Sequence, residues 1–190
     1  MLKRFLYMSI LLPLLACSTV SSLFSNSPGG EPDPEEQAVY AVLFSDYHRD
    51  RIVLRKTTDS GLEFMNQDSL PQELPGLSPG LWSDYLATND RAYPLSAEME
   101  IGVNYVFLDD REMGDIFDDS VNGWEEFYRR YPDSPGITTL SRVGFNRERT
   151  EALVYMGAQL HYLAGAGNLY RLEKQDGVWK IVEKVMLWIS

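Results

Sequence analysis

The last third of the chain is a series of β-rich runs whose connectors leave little choice of topology. Residues 138–145, 151–161, 169–174 and 179–189 are rich in Val, Ile, Leu, Thr and aromatic residues. They are separated by Asn146-Arg147-Glu148-Arg149, by Ala164-Gly165-Ala166-Gly167 and by Gln175-Asp176-Gly177. A parallel return needs a crossover of a dozen or more residues, so connectors this short dictate antiparallel neighbours. The expected product is a four-stranded antiparallel meander. With the elements before it, this gives an α+β domain, a curved antiparallel β-sheet packed on one face by N-terminal and central helices.

Those earlier elements are read from periodicity. Pro34-Glu35-Glu36 suits a helix N-terminus, and Val39, Tyr40, Leu43, Phe44 and Tyr47 recur at helical spacing over residues 37–48. Residues 51–58 and 101–108 are short β-branched or aromatic runs and read as strands. Residues 66–97 hold Pro71, Pro75, Pro79 and Pro94, which leaves room only for a short helix over 81–88. Residues 121–131 form a helix that aligns Trp124, Phe127, Tyr128 and Tyr131 and stops at Pro132.

The N-terminus carries a different signal. Lys3 and Arg4 precede an apolar stretch over 5–15, then Ala16 and Cys17, the only cysteine. These are the zones of a secretory signal peptide. As a helix the apolar stretch would cover roughly 15 Å of a ~30 Å hydrocarbon core, too little to span it. A single cysteine also leaves no intrachain disulfide, so the core alone must hold the fold. After it, residues 18–36 are rich in Ser, Pro, Gly and acid and read as a flexible tether with a reach of roughly 25 Å. The organisation expected is a signal peptide over 1–16, an anchor and tether over 17–36, and one globular domain over 37–190.

Leu14-Leu15-Ala16-Cys17 resembles the lipobox of bacterial lipoproteins. The resemblance implies diacylglyceryl transfer to Cys17, cleavage before it, and acylation of the new amine by chains such as palmitate. The partner it implies is a lipid bilayer, with another envelope protein as a further partner, and the location is the cell envelope, at an outer membrane or the outer leaflet of the cell membrane. Asp176-Gly177-Val178-Trp179-Lys180-Ile181 is similar to the closing hairpin of cystatin-like and nuclear-transport-factor-2-like folds. The stretch from Trp124 to Ser190 also resembles uncharacterised secreted proteins of bacteria, and neither likeness brings a catalytic residue with it.

Charge narrows the partners further. With 28 acidic and 17 basic residues the net charge is −11, and cleavage before Cys17 would remove Lys3 and Arg4. Nucleic acid is repelled by that balance. His48 and His161, the only histidines, stand far apart without HExxH or Cys spacing, so they read as a helix-end and a strand-end residue rather than ligands. The run from Asp109 to Asp119 lacks the alternating ligands and distant Glu of an EF-hand loop and reads as a solvated acidic turn. Gly165-Ala166-Gly167 has neither the third glycine nor the lysine of a phosphate loop. No cofactor is expected. The candidate contact surface is Trp82 and Tyr85, aromatic residues between prolines. The favoured function is a non-catalytic binding or structural role at a membrane surface. The alternative is a small-molecule enzyme with a pocket between the first helix and the sheet, lined by Tyr40, Tyr47 and His48 with Asp46 as base.

Overall fold

Two proline-led helices show how local chemistry starts the fold. The computed structural model describes residues 33–48, 51–65, 70–118 and 122–190. Cys17 and most of the expected tether lie outside them. Helix α1 (Pro34–Leu43) starts where the Asp33 carboxylate accepts the Glu35 amide at 3.0 Å, and α3 (Pro79–Thr88) starts where Ser78 Oγ accepts the Leu81 amide at 3.3 Å. In each, proline at the first helical position gives up an amide that has no helical partner there. Helix α1 therefore takes in Pro34, Glu35 and Glu36, which the expected tether included.

A seven-stranded mixed sheet carries the domain, in the order β2-β1-β3-β5-β6-β7 with β4 paired to β5. Strands β1 (Arg51–Arg55), β2 (Asn104–Leu108) and β3 (Ile137–Leu140) are parallel to one another, Val53 lying beside both Val106 and Ile137. From β3 the sheet turns antiparallel through β5 (Glu151–His161), β6 (Ala164–Gln175) and β7 (Val178–Ile189). The sheet is thus mixed rather than wholly antiparallel, and the C-terminal meander is its antiparallel half. The β6–β7 turn is Asp176-Gly177, with φ of 52° and 80°, the left-handed pair that matches strand twist in a two-residue hairpin.

Three expected elements differ. Residues 138–145 are not one strand, because after β3 the chain leaves the ladder at Ser141-Arg142-Val143 before the two-residue β4 (Gly144–Phe145). Side chains hold that break: Asn89 donates to the Arg142 carbonyl and accepts its amide, at 3.0 and 2.9 Å, and Ser141 Oγ accepts the Tyr155 amide at 2.9 Å. The Gly165-Gly167 stretch is strand rather than connector, the turn being Tyr162-Leu163. Its glycines seat the Trp188 indole, which would lie 2.0 Å from a Cβ at Gly167. The acidic run is largely helix α4 (Asp110–Phe117), capped by Asp109 on the Glu112 amide.

Helices cover both faces of the sheet, not one. On one face α1 buries Val39, Tyr40 and Phe44 against Ile52, Leu54, Val154 and Leu172. On the other, Leu74 at the end of the short α2 (Leu70–Glu73), with Leu81 and Tyr85 of α3, packs on Leu153, Tyr155 and Leu169. There too, Ile116 of α4 and Trp124 and Phe127 of α5 (Gly123–Arg130) pack on Val53 and Ile137. Alternate residues of β1 and β5 thus point to opposite cores, as strand geometry requires. Burial of a large apolar side chain contributes about 1.5–3 kcal/mol, so these clusters supply the driving force that disulfides supply elsewhere.

Candidate functional site

Three acidic residues at the start of α1 each meet a cation, Arg142 and Arg149 from the connections flanking β4 and Lys174 from β6. Asp33 pairs with Arg149. Glu35 receives Lys174 Nζ at 2.7 Å and Trp179 Nε1 at 2.8 Å. Glu36 takes both arms of Arg142, at 2.7 and 3.0 Å, and the Val143 amide at 3.1 Å. The Tyr40 hydroxyl stands 2.9 Å from Glu36 and 2.7 Å from the Ser141 carbonyl, so its one proton serves either acceptor. Burial works against charge on Glu35, but the hydrogen bonds from Lys174 and Trp179 outweigh it and its pKa is lowered. For Arg142, burial is likewise overcome by Glu36, and its pKa is raised. These pairs fix the N-terminal turn of α1 in place.

Beside that turn a cleft of about 760 Å³ opens between α3 and the connections flanking β4. Helix α3 contributes Gly80, Ser83, Asp84, Ala87 and Thr88, residues at helical spacing on a single side. Arg142, Phe145, Arg147 and Arg149 come from the strands and their loops, and Asp33 and Glu36 complete the lining. Asp84 accepts the Phe145 amide at 2.7 Å, which ties α3 to β4. The Arg149 guanidinium lies 4.0 Å from the centre of the Phe145 ring. Asn146 accepts the Thr150 and Glu151 amides at 2.8 and 3.0 Å and so shapes the loop that carries Arg147. Three arginines between positions 142 and 149 of an acidic chain were the available signal for this site.

The expected site residues do not assemble. Tyr85 is fully buried, its hydroxyl donating to the Ser60 carbonyl at 2.6 Å, because it lies on the side of α3 that faces the sheet; it is not a contact surface. Trp82 is half-buried and stacks on Tyr85 at 5.8 Å. The space between α1 and the sheet is filled by side chains, with Tyr40 1 % exposed, so the expected pocket there is closed. His48 and Asp46 are exposed at the far end of α1 from the cleft, and His161 lies against Trp124 at 5.9 Å. Among the described residues no group of three or more His, Cys, Asp or Glu is placed to hold a metal ion.

A second surface lies at the opposite end of the meander. From Ala152 to Tyr170, and again from Val185 to Ser190, there is no Asp, Glu, Lys or Arg. Register aligns these stretches: Ala158 pairs with Ala166 and Ala166 with Ile189, while Met156 pairs with Asn168 and Asn168 with Met186. Met186 and Ile189 are 57 % and 71 % exposed, and Leu163 at the adjoining turn is 84 % exposed. Along β5 the rows that carry Met186 and Ile189 stand about 17 and 23 Å from Glu151 at ~3.3 Å per residue.

No helix among the described residues is long and apolar enough to cross a membrane. Comparison of the chain with family models, with curated proteins and with solved structures returned no match.

Proposed function

We propose that this chain is a lipid-anchored envelope protein, held to a bilayer through acylated Cys17, whose folded part binds rather than catalyses. The observation that carries the reading is the polarity of the domain. Three ion pairs fix the start of α1 at one end, and an uncharged, apolar sheet face stands at the other. The apolar face thus lies at the end of the domain opposite Asp33, toward which a tether from Cys17 would lead. Loss of charge with exposed aliphatic side chains is the composition of the core of a protein interface, so the partner assigned to that face is an envelope protein with an uncharged apolar patch. The cleft's strongest charges, Glu36 and Arg142, answer each other instead of converging on an open reaction centre.

Fractionation of cells tests the anchor. The parent chain is expected in the membrane fraction and the Cys17→Ala chain is expected to leave it; equal retention of both overturns the anchor. A photocrosslinking residue at Ile189 tests the face. A discrete adduct with one envelope protein is expected there and not from Arg111, which is exposed on α4. Equal labelling from both positions, or none from Ile189, overturns the assignment of a partner.

A further inference from the structure

We propose that the cleft beside the start of α1 binds a small zwitterion, its anionic group on Arg147 and its ammonium group on Asp84. This inference does not depend on acylation of Cys17. It rests on which charges in the cleft are already answered. Glu36 holds Arg142 and Asp33 holds Arg149. Arg147 makes no ion pair among the described residues, and no cation among them pairs with Asp84. One cation and one anion are thus left over in a single concave site, the anion on α3 and the cation on the loop after β4.

The rest of the site suits such a ligand. Asp84 is held by the Phe145 amide on one oxygen, which leaves the other for an ammonium donor. Arg147 has five guanidinium donors for a carboxylate or phosphate. Ala87, exposed on α3, offers an apolar contact for the carbon chain between the two charged groups. The lining's three arginines balance Asp33, Glu36 and Asp84, so the cleft is neutral in a protein of net charge −11. A simple anion would still meet the repulsion of the whole surface, whereas a neutral dipolar molecule meets none. The ligand's chemistry is therefore an ammonium and a carboxylate or phosphodiester in one small molecule, which a free amino acid, a free phosphodiester or a lipid headgroup can each supply.

Calorimetric titration of the full-length protein with glycerophosphoethanolamine and with γ-aminobutyrate tests this, with inorganic phosphate and ethylamine as single-sign controls. Saturable binding of at least one zwitterion is expected, tighter than either control by about tenfold or more. Arg147→Gln and Asp84→Asn are each expected to weaken it by about tenfold or more without shifting the melting temperature, since the carboxamide of Asp84→Asn keeps an oxygen for the Phe145 amide. A parallel arm uses phosphatidylcholine vesicles with and without phosphatidylethanolamine. Binding only to the phosphatidylethanolamine vesicles, lost in both variants, supports the site with a lipid headgroup as source, while binding of the free zwitterion supports a soluble one. Absence of binding in every arm, or binding that both variants retain, overturns the proposal.

Discussion

Glu36 gathers four contacts on one carboxylate: two from Arg142, one from the Val143 amide and one from Tyr40. The residue is 8 % exposed, so its charge has little water to fall back on. Glu36→Gln keeps the volume but removes the charge facing Arg142. The loss expected is about 2–3 kcal/mol, below the 3–5 of a fully buried pair because Arg142 retains some solvent, and urea unfolding would measure it. Glu35 predicts a pH dependence. Its pKa is lowered from 4.5, so its contribution is fully present above that value and is lost as pH falls through the lowered one. Melting temperatures followed below pH 4.5 should fall less steeply in Glu35→Gln than in the parent, and parallel curves would contradict that role. Sequence made the acidic start of α1 visible as helix chemistry. It did not show that the same three acids dock the helix, since their partners lie more than a hundred residues away.

At the scale of elements, α3 and β4 meet so closely that a glycine is required between them. A Cβ on Gly144 would lie 2.6 Å from the Tyr85 Cα, whereas one on Gly114, inside α4, would meet nothing within 4 Å. Gly144→Ala should therefore destabilise by about 1–3 kcal/mol through backbone displacement. Gly114→Ala should stabilise by about 0.5–1 kcal/mol through helix propensity alone. Opposite signs in denaturant unfolding are the expected result. Strands β5 to β7 were legible because alternation, β-branching and the Asp176-Gly177 turn agree. The break after β3 was not, because it is made by Asn89 and Ser141 side chains rather than by a local breaker. The glycines of β6 read as a turn because their use, a seat for Trp188, depends on a strand about twenty residues on. Helix α4 hid behind its acids, since its inward side is little more than Met113, Ile116 and Phe117.

At the scale of the whole molecule, the domain has two unlike ends. The charged end joins residues from 33 to 149 that no spacing rule connects, so the cleft emerged only from the sheet's register. The uncharged end was present in the sequence as two charge-free stretches, but the pairing of β5, β6 and β7 was needed to make them one surface. The prolines that flank Trp82 and Tyr85 point to a contact surface, but helical phase turns Tyr85 into the core. The anchor proposed at Cys17 would tie the charged end to a bilayer. The intact mass and N-terminal peptide of the protein extracted from its native membrane measure it most directly. A chain that begins at Cys17 and carries covalent acyl chains is expected. A chain with an unmodified Cys17, or one cleaved at another position, would contradict it.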